Sequence, residues 1–159
     1  MHAINADEKV MKFFPEILSK EQTNAFVKRM KEQFDNKGFS YFAVDKLEDN
    51  EFIGFIGLSE ETYEADFTPC IDIGWRIKSS QWNKGYASES ARKCLDYALT
   101  MLKIENVYAI APIVNLKSEY IMVKIGMEKQ REFEHPLLKD FPKLKTCVLY
   151  RTKRKNENS

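Results

Sequence analysis

A strand–loop–helix–strand unit in the middle of the chain constrains the fold more than any other feature. Residues 71–77, IDIGWRI, and residues 106–114, NVYAIAPIV, are rich in β-branched and apolar side chains and predict two strands. Between them, small and apolar residues recur at helical spacing: Ala87, Ala91, Cys94, Leu95, Ala98, Leu99 and Leu102. Strands joined through a helix pair in parallel by a right-handed crossover, so this unit predicts a mixed α/β sheet.

The residues before this unit predict a helix and a β-hairpin. Ser19 and Gln22 have the spacing of a capping box, which indicates a helix over residues 20–36. The side chains expected to be buried on this helix are Ala25, Phe26, Val27, Met30 and Phe34. Residues 39–47 and 51–60 predict two antiparallel strands joined by a tight turn.

The residues after the unit predict a short helix and a closing pair of strands. The helix is expected over residues 115–126, where Gly126 marks its end, and the antiparallel pair over residues 127–135 and 145–153. The expected fold class is therefore α/β, with a mixed, mostly antiparallel sheet of about six strands flanked by helices. We expect a single domain over residues 1–159, with a frayed tail at residues 152–159.

Composition narrows the class of function. The chain has 159 residues, of which 25 are basic and 24 acidic, so its net charge of +1 favours neither a nucleic acid nor a membrane as partner. No apolar run approaches the ~20 residues of a membrane span, and no signal-peptide pattern opens the sequence. Three scattered cysteines and two histidines predict buried thiols in a reduced, cytoplasmic protein and no metal site.

The loop between the first strand of the unit and its helix is a candidate anion site. Gly85 and small side chains stand where the helix begins, and backbone N–H groups are free at a helix N-terminus. The positive end of the helix dipole adds to this attraction for negative charge. The alternative is an ordinary strand-to-helix connection, which the loop alone does not distinguish.

Three motifs in order carry a resemblance to a known family. They are Ile73-Gly74-Trp75, the loop from Trp82 to Ala87, and a helix with Asn115, Ser118, Lys124 and Gly126. Over residues 7–151 the sequence resembles the GNAT N-acetyltransferases, and is most similar to the branch of ribosomal-protein N-terminal acetyltransferases (RimJ/RimL-like). The resemblance implies that two parallel strands splay apart to admit the cofactor. A dinucleotide-binding Rossmann fold is a poorer match, because no Gly-x-Gly-x-x-Gly follows a strand.

The resemblance implies acetyl-CoA as co-substrate, with no metal. The residues that it assigns to acetyl-CoA are Trp75, Ile77, Trp82, Asn83, Lys84, Gly85, Tyr86, Ala87, Ser88, Asn115 and Ser118. Backbone N–H groups of the loop would bind the pyrophosphate, and the main chain near Trp75 and Ile77 would bind the pantetheine arm as an added strand. Trp82 and Tyr86 are expected to pack the loop. Lys84 adds charge or is a solvated lysine, Ser88 contacts phosphate or caps the helix, and Asn115 binds the arm or caps its own helix.

The sequence departs from the family pattern at several positions. Asn83 replaces a glycine, but asparagine tolerates left-handed backbone geometry well. Met127 replaces a phenylalanine, and Met122 stands where many relatives carry a tyrosine as general acid. The family's first strand and first helix have no counterpart, so we expect either a sheet that lacks an edge strand or a shortened form.

Three residues are candidates for the chemistry of acetyl transfer. Ser118 is expected to protonate the leaving thiolate, with Tyr120 as the second candidate. Asp72 is a candidate base, or else a strand aspartate bonded to backbone or to Arg76. As a base it is expected to matter most at low pH, where neutral amine is scarce. Backbone N–H groups near Ile73 or Gly74 would bind the oxyanion.

The acceptor and the assembly stay open at this level. A protein N-terminus, a polyamine, an aminoglycoside-like compound and an amino acid are all compatible with transfer to a primary amine. A monomer and a homodimer are equally compatible with the sequence. A second class of function is a non-catalytic acyl-CoA-binding or protein-interaction module that retains the fold.

Overall fold

The computed structural model describes residues 1–153, which form one six-stranded sheet with helices on both faces. The strands are β1 (Tyr41–Asp45), β2 (Phe52–Glu61), β3 (Cys70–Ile77), β4 (Val107–Pro112), β5 (Glu128–Glu134) and β6 (Thr146–Arg151), in the spatial order β1-β2-β3-β4-β6-β5. The α-helices are α1 (His2–Asn5), α2 (Lys20–Lys37), α3 (Tyr86–Thr100) and α4 (Leu116–Lys124). None of the described helices is long and apolar enough to cross a membrane.

The sheet is antiparallel except at the junction of β3 and β4. These two strands pair in parallel at only two positions, Ile71 with Val107 and Asp72 with Tyr108. Beyond Asp72 the strands diverge, while β4 pairs with β6 as far as Pro112 and β3 pairs with β2 as far as Ile77. The predicted parallel, splayed pair is therefore confirmed, and the edge of β3 that faces the gap carries unpaired backbone groups.

Helix α3 covers one face of the sheet through its small residues. Ala91 and Ala98 are fully buried against Ile73, Val107 and neighbouring core residues, and Leu95 is buried beside them. Alanines two turns apart let the helix lie close to the strands, which explains the small-residue stripe of the sequence. Because side chains alternate along a strand, Asp72, Gly74 and Arg76 of β3 point to the opposite face.

Helix α2 forms as predicted but buries less than predicted. Ser19 and Gln22 make the reciprocal hydrogen bonds of the capping box, and Gly38 ends the helix with a left-handed φ of 78°. Thr23 is the buried residue of the helix, whereas Phe26, Val27 and Met30 are half-buried and Ala25 and Phe34 are exposed. The expectation for Ala25 and Phe34 was wrong because α2 overhangs the edge strand β1, where Phe34 contacts the exposed Phe42 edge-on at 5.7 Å.

The N-terminal segment before α2 packs against the end of β3. Ile4, Val10 and Met11 form a small second core with Leu18, Phe52 and Trp82. Asn5 Oδ1 accepts a hydrogen bond from Arg76 Nη1 at 2.7 Å, and Asp7 Oδ2 accepts one from Ser79 Oγ at 2.8 Å. These contacts fix the segment as one wall of the gap between β3 and β4.

Candidate active site

A cavity of about 700 Å³ opens where β3 and β4 diverge. Its walls come from β3, the loop before α3, the first turns of α3 and α4, and the N-terminal segment. The sequence singled out thirteen candidate site residues, and all of them except Lys84 line this cavity. One concave site thus collects residues from five parts of the chain, as expected where a sheet opens at its strand ends.

The loop before α3 has a backbone conformation that restricts its residues. Gly85 has a φ of 85° and Asn83 a φ of 61°, both in the left-handed region. Apart from glycine, asparagine is the residue that best tolerates this conformation, so the loop keeps its shape although Asn83 stands in place of a glycine. A Cβ atom on Gly85 would meet nothing within 4 Å, so the space above the glycine is open.

The N-terminus of α3 is the candidate anion site of the cavity. Gly85 is the N-cap residue, and no side chain caps the helix. The N–H groups of the first helical turn, at Tyr86, Ala87 and Ser88, therefore point out of the helix without an intrahelical acceptor. Ser88 is buried and does not cap the helix, so the capping alternative for this serine was wrong. The arrangement suits a phosphate or diphosphate group.

Two lysines differ in their relation to this loop. Lys84 is exposed and does not line the cavity, and its Nζ donates to Oε1 of the cavity residue Gln81 at 3.1 Å. Lys117 lines the cavity with its Nζ 4.2 Å from the ring centroid of Trp82, a cation–π contact. Trp82 in turn donates from Nε1 to the carbonyl of Ile77 at 2.8 Å, which ties the loop to β3. Sequence reasoning missed Lys117, although its place in the first turn of α4 was a usable signal.

Helix α4 presents Asn115 and Ser118 to the cavity. Asn115 is the N-cap of the helix, and its Oδ1 accepts a hydrogen bond from the Ser118 N–H at 3.2 Å. The capping alternative for Asn115 is therefore present in the structure. Ser118 is half-buried, whereas Tyr120 is 66% exposed at the rim. Met122, which replaces the family's tyrosine, is 1% exposed and also lines the cavity.

Asp72 lies on the other face of β3, beside Glu61. Its Oδ1 atom is buried and has no hydrogen-bond partner among residues 1–153. Burial and the neighbouring Glu61 carboxyl raise the pKa of Asp72 well above its ordinary value, and burial also raises the pKa of Glu61. The alternative in which Asp72 bonds to Arg76 is not present in the structure, where Arg76 Nη1 donates to Asn5 Oδ1. A carboxyl group can accept a proton only when it is ionised, and a carboxyl with a raised pKa is ionised only at higher pH. This reverses the expectation that Asp72 matters most at low pH.

Tyr41 is a cavity residue that the sequence did not single out. A Cβ atom on Gly74 would lie 2.5 Å from the hydroxyl oxygen of Tyr41, so the tyrosine occupies the space that the glycine leaves. Burial and the nearby carboxyl groups raise the pKa of Tyr41, which keeps the phenol protonated. Tyr41 pairs with Gly57 inside the hairpin of β1 and β2. Its contact with Gly74 on the next strand, β3, has no local sequence signal.

The buried carboxyl pair gives the fold a pH dependence that can be measured. The pKa of Asp72 is raised in the folded protein, so the protonated carboxyl stabilises the fold. This stabilisation is complete below the unfolded pKa of about 3.9, and it is lost as pH rises through the folded pKa. We expect Asp72→Asn to remove this loss, so its melting temperature rises relative to wild type between about pH 4 and pH 8. Thermal melts of both proteins test this, with the exposed Asp35→Asn as control; a constant difference across the range would contradict it.

Comparisons with known proteins agree with this geometry. Residues 1–128 match the family model of the acetyltransferase (GNAT) domain. YnaD of Bacillus subtilis, an uncharacterized N-acetyltransferase, is 31% identical over 139 residues, which cover 84% of this chain and 75% of that protein. Among the described residues, no group of three or more His, Cys, Asp or Glu side chains is placed to hold a metal ion.

Solved structures share the same architecture. A GNAT-family acetyltransferase from Bacillus anthracis superposes with a TM-score of 0.77 at 28% identity, covering 95% of this chain and 85% of that one. A ribosomal-protein-S5-alanine acetyltransferase from Vibrio fischeri shares the fold, with a TM-score of 0.72 at 16% identity over 98% of this chain and 88% of that one. With its splayed strands and its uncapped helix N-terminus, the chain belongs to the GNAT family of N-acetyltransferases.

Proposed function

We propose that the protein transfers the acetyl group of acetyl-CoA to a primary amine, with a peptide α-amino group as the favoured acceptor. GNAT acetyltransferases use acetyl-CoA as co-substrate, and the features needed to bind it are together in this chain. The observation that carries the proposal is that the gap between β3 and β4 and the uncapped N-terminus of α3 open into one cavity. The gap suits an extended pantetheine arm, and the N-terminus of α3 suits a diphosphate.

Named residues would hold the two parts of acetyl-CoA. Backbone N–H groups from Asn83 to Ala87 would bind the pyrophosphate, and Lys117 supplies a cation nearby. The edge of β3 that faces the gap, near Trp75 and Ile77, would bond the pantetheine arm through its main chain, although the Ile77 carbonyl already accepts a hydrogen bond from Trp82. When bound, acetyl-CoA supplies an acetyl thioester, whose carbonyl is the electrophile.

The acceptor amine must reach this carbonyl in its neutral form. A new N–C bond forms as the C–S bond breaks, while one proton leaves the nitrogen and one reaches the sulfur. A peptide α-amino group has a pKa of about 7.7–8.0 and is partly neutral at physiological pH, whereas a lysine amine at about 10.4 is almost wholly charged. Within residues 1–153, Asp72 is the one carboxylate on the cavity wall, so it is the candidate base for the amine proton.

Ser118 is the candidate donor of the proton to sulfur. We expect Ser118→Ala to lower kcat about 10-fold and to leave acetyl-CoA affinity almost unchanged. The effect is at the low end for general acid catalysis because a thiolate is already a good leaving group. Steady-state kinetics at saturating acceptor, with Tyr120→Phe as the matched control, test this. An unchanged kcat in Ser118→Ala would remove Ser118 from the chemistry.

Two measurements test the proposed function as a whole. Isothermal titration with CoA and with NAD separates a CoA site from a dinucleotide site, and only CoA is expected to bind. An assay of thiol release over a panel of amines then tests acetyl transfer. Binding of CoA without thiol release from any amine would favour a non-catalytic acyl-CoA-binding module instead.

A further inference from the structure

Arg76 is a half-buried cation on the cavity wall without a countercharge among the residues that the structure describes. Among residues 1–153 it forms no salt bridge. Its guanidinium group packs against aromatic rings, with the guanidinium carbon 4.2 Å from the ring centroid of Phe14 and 5.1 Å from that of Phe55. Burial lowers the pKa of Arg76 to about 10, which still leaves it charged at neutral pH. A buried charge without an ionic partner is unfavourable unless a ligand supplies one.

The unused side of the guanidinium has the geometry of a carboxylate site. Nη1 donates to Asn5 Oδ1, and Asn5 Nδ2 donates to Thr23 Oγ1 at 3.4 Å, so the group is held from one side by α1 and α2. On the other side, Nε is buried without a hydrogen-bond partner among the described residues. The Nε and Nη2 donors of an arginine are parallel, and they match the two oxygens of a carboxylate.

Arg76 and the candidate base share one wall of the cavity. Asp72 and Arg76 lie four residues apart on the same face of β3, and both line the cavity with Tyr41 over Gly74 between them. An amine placed near Asp72 can therefore extend along β3 toward Arg76. The phenyl rings of Phe14, Phe26 and Phe55 line the cavity around the guanidinium.

The charge of the cavity favours an anionic group on the acceptor. Among the described residues, the charged side chains that line it are Lys9, Arg76, Lys117 and Lys124, with Asp72 as the single acidic one. The lysines on α4 flank the part of the cavity assigned to acetyl-CoA, but Arg76 lies on the opposite face of β3, beyond that part. The positive charge of Arg76 in this part of the cavity disfavours a polycationic acceptor such as a polyamine.

We propose that the acceptor is a primary amine that carries a carboxylate, and that Arg76 binds this carboxylate while the amine lies near Asp72. The inference rests on the proposed acetyl transfer and names the class of its acceptor. Free amino acids and peptides with an acidic residue near the N-terminus both carry this chemistry. The experiment therefore includes one arm for each source.

The first test compares matched acceptors on the wild-type protein. One arm uses amino acids of increasing chain length, from glycine to ε-aminohexanoate, each against its carboxamide; the other uses peptides with glutamate or glutamine as second residue. We expect kcat/KM to be at least about 10-fold higher for the carboxylate of the best pair, and spermidine to be a poor acceptor. Equal rates for acids and amides, or a preference for spermidine, would overturn the proposal.

The second test compares variants of Arg76. Arg76→Met keeps the stem and removes the charge, and we expect it to abolish the preference for acid over amide. Arg76→Lys keeps a point charge without the paired donors, so it should retain part of the preference. Arg29→Met, an exposed arginine on α2, is the matched control and should keep the wild-type ratio. An equal loss of rate for acid and amide in Arg76→Met would instead show a structural role.

Failure of acetyl transfer is distinguishable from failure of this inference. If no amine releases thiol, the proposed function fails, and the arginine site is then judged by binding alone. Calorimetric titration of the CoA-loaded protein with N-acetylglycine and with its amide measures this. Tighter binding of the acid in wild type, lost in Arg76→Met, supports the site, and equal binding of acid and amide overturns it.

Discussion

Gly85→Asp is expected to abolish acetyl-CoA binding, with an affinity at least ~100-fold weaker than that of wild type. The aspartate would enter the open space above the loop and place a negative charge beside the uncapped N-terminus of α3. There it would satisfy the N–H groups that the pyrophosphate needs and repel the phosphates. The backbone at Gly85 is left-handed, so the substitution also costs about 1–2 kcal/mol of stability.

Two further variants separate charge from backbone strain. Gly85→Asn introduces a side chain of the same size that is neutral and tolerates the left-handed backbone, so it should weaken binding less than aspartate does. Gly38→Asp sits in the same backbone conformation, with a φ of 78° and open space around it, at the end of α2. It should lower the melting temperature similarly and leave CoA affinity unchanged. Isothermal titration with CoA decides the matter: wild-type affinity in Gly85→Asp would refute the phosphate loop.

The sequence predicts the parts of the fold that depend on local patterns. The strand Cys70–Ile77, the helix that starts after Gly85 and the cap at Ser19 all rest on residue types at short spacing. A crossover between two strands has one favoured hand, so the parallel pair followed from the order of the elements. The same local signals indicated a candidate anion site, because backbone N–H groups are free at a helix N-terminus that follows a glycine.

The parts that the sequence did not predict depend on contacts between distant residues. Arg76 pairs with Asn5, which is 71 residues away and lies in a segment without helical or strand periodicity. The burial of Asp72 beside Glu61 depends on the register of β2 against β3. A slip of one residue in this register would move every side chain of a strand to the other face of the sheet. Thr23 is buried and Phe34 exposed because of where α2 crosses the sheet edge, which its own periodicity does not specify.

Asp72→Asn is expected to lower kcat/KM about 100-fold on the alkaline side of the wild-type pH–rate profile, where Asp72 is ionised. The amide cannot accept the amine proton, and Asp72 is the only carboxylate among the described residues that line the cavity. The deficit should shrink as pH falls, because the raised pKa means that the wild-type carboxyl takes up a proton and loses its function as well. The ratio of variant to wild-type rates removes the acceptor's own protonation, which is the same for both proteins.

Glu61→Gln provides the matched test of this assignment, because it leaves Asp72 in place and removes the carboxyl beside it. Without that neighbour the pKa of Asp72 should fall, since a nearby carboxylate disfavours ionisation. The acid limb of the pH–rate profile should then move to lower pH, while kcat/KM above the limb stays near that of wild type. A structural role for Asp72 has no reason to move the limb. Profiles of kcat/KM measured on wild type, Asp72→Asn and Glu61→Gln with one α-amino acceptor decide between the two, and an unshifted limb in Glu61→Gln would exclude Asp72 as the base.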